Sequence, residues 1–253
     1  MEYSAFESLF SACLRVNSLE SLCNIDIVNY FYRLTEHMLK VNQSMNLTRI
    51  TEPRELILRH YIDSLTLLPH IPKGARLIDV GCGAGFPSLP LAIVRPDLQI
   101  TALDSTDKKV RYVNQAAEFL GISDRLHAIT ARAEDAAAPG APLRERFDVV
   151  TGRAVARLHI LAEITLPFLK VGGLFIAMKG GRAAEEMTEA TIAYAKLGAS
   201  SPRLLPCSIL DPQQQADTAD AAPEAHSLIL AEKVRKTPEI YPRKYAQILK
   251  KPL

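Results

Sequence analysis

The 253-residue sequence predicts a doubly wound α/β fold with a helical N-terminal extension. Three observations carry that expectation. Short apolar runs rich in branched residues recur from Ala75 onward, the mark of buried parallel strands. Stretches of helical period separate them, as in consecutive βαβ units. The first run ends directly in closely spaced glycines.

Residues 1–72 read as helices. Leu22, Ile25, Val28, Phe31, Tyr32, Thr35, Met38 and Leu39 recur at three- and four-residue steps. A second run, Leu56 to Leu68, follows Thr51 with Pro53 in its first turn and stops before Pro69 and Pro72. Five strands are then expected in ARLIDVG, LQITALD, RLHAITA, FDVVTGR and GGLFIAMKG. Helices are expected between them in SLPLAIVRP, KKVRYVNQAAEFLG and HILAEITLPFLKVGG. RAAEEMTEATIAYAKLG reads as an amphipathic helix after the fifth strand. RLLPCSIL and SLILAEKV complete a seven-stranded, mostly parallel sheet, with DPQQQADTADAAPEA between them as a mobile loop. The expected organisation is an extension over 1–72, a sheet domain over 73–235 and a basic tail over 236–253.

Hydrophobic residues make up 48% and charged residues 23%, a balance that excludes disorder, collagen and coiled coil. No apolar run reaches the ~18 residues of a membrane span. The N-terminus carries acids where an export signal carries bases, so a cytoplasmic protein is expected. The cysteines at 13, 23, 82 and 207 form no CxxC pair, so neither a metal site nor a disulfide framework is expected. Net charge is only +2, but it is unevenly spread. Residues 232–253 hold seven bases and two acids, a net +5 that leaves −3 on the rest. Such a tail suits either a polyanionic partner or a solvated terminus.

Gly81, Gly83 and Gly85 follow a strand and open a helix, a Rossmann-like arrangement that brings backbone close to a ligand. Dinucleotide loops place a third glycine where this chain has Phe86. The GxGxG spacing, with Asp79 two positions ahead, resembles instead the loop of S-adenosylmethionine (SAM) methyltransferases. Asp104 ends the second strand, 19 residues past Gly85, where an acid can accept from ribose hydroxyls. Glu134 follows the third strand, where adenine would lie; a helix N-terminal acid favoured by the dipole is the other reading of it.

The end of the fourth strand reads Thr151-Gly-Arg-Ala-Val-Ala, not the Asp/Asn-Pro-Pro-Tyr/Phe usual for exocyclic amines. Carbon-5 pyrimidine chemistry needs a nucleophilic cysteine, and Cys82 and Cys207 fit inert small residues better. Hydroxyl methylation often calls on a base, for which Lys179 is a candidate. A ring nitrogen such as guanine N7 already presents its lone pair, so alignment and desolvation replace acid–base work.

In order, the chain carries Asn46-Leu-Thr, Arg59-His-Tyr-Ile-Asp-Ser-Leu, Asp79-Val-Gly-Cys-Gly-Ala-Gly-Phe-Pro, Leu103-Asp-Ser, Arg132-Ala-Glu-Asp, Gly152-Arg-Ala-Val-Ala and Met178-Lys-Gly. Together, over roughly residues 40–245, they resemble the RsmG (GidB) family of bacterial 16S ribosomal RNA guanine-N7 methyltransferases. The resemblance implies a Rossmann-like SAM-dependent enzyme acting on a guanine in the 530 loop. It implies SAM contacts at Gly81, Gly83, Gly85, Phe86, Ala133, Glu134 and Arg153, with Asp104 at the ribose. It implies a catalytic positioning role for Arg153, whose other reading is a strand-end ion pair, and for Lys179. Asn46, Arg59, His60 and Asp63 are expected as a polar patch facing the cleft; His60 alone suits a satisfied buried histidine equally well. Asn46, Arg59, His60, Lys179, Arg243 and Lys244 are the expected substrate or RNA contacts. Tyr245-Ala-Gln-Ile-Leu departs from the Gly-Thr-Pro common soon after Tyr-Pro-Arg-Lys in the family. The expected partner is the small ribosomal subunit, with no membrane or metal, and the protein a monomer. A small-molecule methyltransferase and a non-enzymatic RNA-binding or assembly module are the rival readings.

Overall fold

The computed structural model describes residues 1–213 and 226–253. Most of the segment read as a mobile loop lies outside the described residues. Strands β1 (Arg76–Val80), β2 (Gln99–Asp104), β3 (Leu126–Thr130), β4 (Phe147–Arg153) and β5 (Leu169–Lys179) run parallel. The strands β6 (Arg203–Cys207) and β7 (His226–Glu232) form an antiparallel edge. The order β3-β2-β1-β4-β5-β7-β6 reverses direction between β1 and β4, which opens a crevice at the carboxyl ends of those two strands.

Side-chain alternation divides the core. Leu77, Ile100, Val149 and Ile176 face one side of the sheet, and Ile78, Leu103, Val150 and Ala177 face the other. The first side is covered by α1 (Tyr3–Val16), α2 (Ile25–Met45), α5 (Ser88–Val94) and α6 (Asp107–Leu120). The second is covered by α8 (Leu158–Thr165) and α9 (Ala183–Leu197). The N-terminal helices are therefore part of the sheet's own core. Phe31 stacks between Phe10 and Tyr61 at ring distances of 4.7 and 4.8 Å, and the Tyr61 hydroxyl meets Thr35 Oγ1 at 2.8 Å.

Local chemistry sets the helix ends. Asn24 caps α2 by accepting from the Ile27 amide, and Asn46 ends it in the left-handed region at φ 50°. The next run starts one residue later than Thr51 suggested: the Glu52 side chain accepts from the Glu55 amide ahead of α3 (Pro53–Leu56). The run is also not uniform, because Ile57–Ile62 winds as a π-helix before α4 (Asp63–Leu65). HILAEITLPFLKVGG was expected to be helical to its end. Pro167, which has no amide hydrogen, instead sits in the 3₁₀ turn Leu166–Phe168, and β5 begins at Leu169.

Residues 236–253 pack against the second face. Tyr241 and Ile248 are buried, and α10 (Tyr245–Lys250) lies beside α8, with Leu253 packed against the same core. The Arg243 guanidinium binds both oxygens of Glu163, a fully buried carboxylate, at 2.8 and 2.6 Å.

Because Phe31 is fully buried at the centre of the helical layer, which shares one core with the sheet, Phe31→Ala is expected to lower stability by about 3–5 kcal/mol. Urea unfolding followed by circular dichroism should show one transition displaced as a whole; a separate early transition would mean that the helical layer folds independently.

Candidate active site

Two cavities meet at the carboxyl ends of the parallel strands. The first, of about 290 Å³, is bordered by Gly81 after β1, Asp104 after β2, Ala133 and Glu134 after β3, and Tyr245 from the tail. The second, of about 590 Å³, is bordered by Arg59, His60, Asp63, Arg153, Lys179 and His226. Ala154 and Val155, which follow β4, line both.

The first cavity is shaped by backbone. Gly81 has φ +77°, and a Cβ there would lie 2.5 Å from Val155 Cγ2. The glycine thus lets the loop after β4 close against the loop after β1. Gly85 is tight for the same reason, a Cβ meeting Leu89 Cδ1 at 2.5 Å. Asp104 accepts from the Gly83 and Thr106 amides at 3.0 and 2.8 Å, with Lys109 Nζ 3.8 Å away. These bonds hold the carboxylate at the cavity edge while it pins the glycine turn. Glu134 is nearly buried and takes 3.0 Å from Arg132 Nε. Beneath the turn, Asp79 is fully buried, with Oδ2 accepting from Ser88 Oγ at 2.6 Å. Its Oδ1 has no hydrogen-bond partner among the described residues. Burial raises this carboxyl to about 6, against the lowering effect of Ser88.

A polar knot forms the wall of the second cavity. Arg153 donates to Asp63 Oδ2 at 3.0 Å and to the Arg59 carbonyl at 2.9 Å, and it meets His60 Nδ1 at 3.1 Å. Asp63 turns its other oxygen to His226 Nδ1 at 3.3 Å. His60 lies flat on Phe86, ring centroids 4.4 Å apart, with Nε2 3.1 Å from Thr48 Oγ1. Burial, reinforced by the Arg153 charge, pushes His60 down to about 4. At neutral pH the ring is therefore uncharged. Lys179 Nζ binds the Ala156 carbonyl at 2.6 Å and Glu186 Oε2 at 2.7 Å.

Of the residues expected at the cofactor, Gly81, Asp104, Ala133 and Glu134 border the first cavity. Gly83 and Gly85 build its turn, Phe86 lies beneath His60, and Arg153 borders the neighbouring cavity. Arg59, His60 and Lys179 come together at the second cavity, whereas Asn46 is exposed and ends α2. Arg243 and Lys244, expected at RNA, bind Glu163 and Asp135. His226 and Tyr245 were not anticipated. Nothing in the local sequence marks His226, while the departure from the family pattern after Lys244 was the available sign for Tyr245. Among the described residues no group of three or more His, Cys, Asp or Glu has the arrangement of a metal site, and no helix is long and apolar enough to cross a membrane.

A doubly wound sheet with a GxGxG turn, an acid after β2 and a crevice at the β1/β4 reversal defines a SAM-dependent methyltransferase. Solved structures share the fold: a SAM-dependent O-methyltransferase from Thermotoga maritima aligns at TM-score 0.51 and 16% identity over 80% of this chain and 73% of that one. A geranyl diphosphate methyltransferase bound to sinefungin aligns at TM-score 0.55 and 15% identity over 81% of this chain and all of that one. The family model for rRNA small subunit methyltransferase G (GidB) matches residues 27–212, and the chain belongs to this family. The ribosomal RNA small subunit methyltransferase G of Lactobacillus delbrueckii subsp. bulgaricus is 42% identical over 86% of this chain and 88% of its own. The protein of the same name from Clostridium perfringens is 35% identical over the full length of both.

The depressed basicity of His60 has a measurable consequence. The unfolded chain binds a proton at this imidazole between pH 6.5 and about 4, whereas the folded chain does not. His60 therefore costs no stability above pH 6.5 and destabilises progressively as pH falls to 4, by up to about 3 kcal/mol. Asp79, protonated in the folded state below about 6, opposes this slope. The difference between wild type and His60→Gln isolates the imidazole: the variant's urea midpoint should fall less steeply over that window. Parallel curves would refute the neutral buried ring.

Proposed function

We propose that the chain transfers the methyl group of SAM to N7 of a guanine in the 530 loop of 16S rRNA, acting as a cytoplasmic monomer. The meeting of an acid-edged cavity and a cation-edged cleft across Ala154 and Val155 carries this reading. The donor set suits SAM: glycine backbone at Gly81, a held carboxylate at Asp104 and a second acid at Glu134 surround a space open toward the cleft. When bound, SAM supplies a methyl on a sulfonium, which a ring nitrogen accepts through its lone pair without loss of a proton.

The residues of the cleft then have to align and exclude water rather than move protons. His60, neutral and stacked on Phe86, offers no charge near a developing purine cation. Lys179 is held by Glu186 and the Ala156 carbonyl, an arrangement that fixes a charge in place and does not suit a free base. Arg153, locked between Asp63 and the Arg59 carbonyl, is the positioning residue for the target base; guanine N7 and O6 are both acceptors that an arginine can approach. In this reading residues 1–72 supply one wall of the cleft, 73–235 the cofactor site and 236–253 a packed strap. A ribosomal substrate places the work in the cytoplasm.

Transfer of labelled methyl from SAM to 30S particles or naked 16S rRNA, followed by nucleoside analysis, tests this directly. N7-methylguanosine is expected, and methyl on an exocyclic amine or a ribose would overturn the target atom. Arg153→Lys, which keeps the charge and loses the planar fork, should lower kcat at least tenfold while SAM affinity by calorimetry stays within about threefold.

A further inference from the structure

The C-terminal segment does not hang free: it is strapped across the mouth of the first cavity. Three independent anchors hold it. Arg144 donates to the Thr237 and Tyr241 carbonyls at 2.8 and 2.9 Å. Glu163 takes both the Arg243 guanidinium and the Arg243 amide, the latter at 3.0 Å. Ile248 is fully buried against the second face of the sheet. Between the last two anchors stands Tyr245, half-buried, whose side chain borders the cavity.

The position of Tyr245 along the cavity follows from its neighbour. The Arg132 guanidinium lies 4.5 Å from the Tyr245 ring centroid, and Arg132 Nε is bonded to Glu134 Oε1 at 3.0 Å. Tyr245 therefore sits at the β3 end. The methyl must emerge at the β4 end, where Ala154 and Val155 open onto the cleft. In the order β3-β2-β1-β4 the strand β3 stands at the far end of the cofactor side from β4, so SAM laid across the strand ends turns its nucleoside toward β3. With the sulfonium at β4, the adenine comes to β3.

We propose that Tyr245 is a cofactor-binding residue whose ring forms the aromatic wall against which the adenine of SAM packs. This rests on the SAM site described above and assigns the strap to the cofactor rather than to RNA. Purine bases stack on aromatic side chains, and a ring already held by Arg132 over one face loses little freedom when a base arrives at the other.

The chain has no tryptophan and eight tyrosines, so its intrinsic emission is tyrosine emission. Tyr245 is the one tyrosine bordering this cavity among the described residues. The test titrates S-adenosylhomocysteine, and separately adenosine, into the full-length protein by calorimetry and by fluorescence. Wild type should bind both with partial quenching. Tyr245→Ala should weaken both by about tenfold or more, with an unchanged melting temperature. Tyr245→Phe should bind within about threefold of wild type while the quench disappears. Wild-type affinity in Tyr245→Ala would overturn the proposal and leave the SAM site standing, as would a retained quench in Tyr245→Phe. The second result decides the matter even if the alanine variant fails to fold. Absence of binding by wild type would instead overturn the SAM site itself, and the proposal with it.

Discussion

The ion pair between Arg153 and Asp63 is the joint on which the site depends. It crosses 90 positions of sequence, tying the end of β4 to the helical layer, and both side chains are largely withdrawn from water. A pair so placed contributes little net stability once desolvation is set against attraction, but removing one partner strands the other. What it supplies is position. Through it the π-helical turn presents the Arg59 carbonyl and the His60 ring to the same guanidinium, and Asp63 reaches on to His226 at the start of β7. One wall of the cleft is thereby assembled from three segments distant in sequence.

That geometry explains which parts of the molecule were legible beforehand. The five parallel strands and their helices follow from local burial patterns, and the glycine turn from spacing, so β1, β4 and the cofactor loop stand where the sequence puts them. Boundaries governed by a single backbone group were less legible. Pro167 ended a helix whose apolar period ran on, and the π turn at Ile57–Ile62 left no mark in the spacing of Leu56, Ile57, His60 and Tyr61. His226 was invisible for a different reason. Its importance lies in a contact with Asp63, and no local pattern encodes a pairing across the whole chain.

The basic tail shows how charge counting misleads when burial is unknown. Its net +5 suggested a terminus offered to a polyanion. Lys233 is buried, bonded to the Leu166 carbonyl and Thr237 Oγ1, and burial lowers its amine to about 8. Arg235 binds the Ala195 carbonyl and Arg243 binds Glu163, so three of the seven cations are engaged within the fold. Lys244 pairs with Asp135 at the surface, where such a pair has little strength and opens readily to another anion. Three of the seven cations thus help to dock the tail, and docking is what delivers Tyr245 to the cavity edge.

The two cavities differ in the charge that lines them. In the first, Asp104 and Glu134 stand beside Lys109 and Arg132, so its acids are balanced by cations. In the second, Arg59, Arg153, Arg157, Lys179 and Arg182 outnumber Asp63 and Glu186, and Arg182 is exposed at its mouth. A phosphate approaching this rim would meet a cationic excess, and backbone contacts of that kind position a strand ahead of base recognition. Ala154 and Val155 stand between the two fields and carry no charge. A purine nitrogen brought to that boundary faces a methyl donor on one side and fixed arginines on the other. Methyl transfer from a sulfonium moves positive charge from donor to acceptor, and the Asp63 carboxylate paired with Arg153 offsets the guanidinium's charge on the acceptor side.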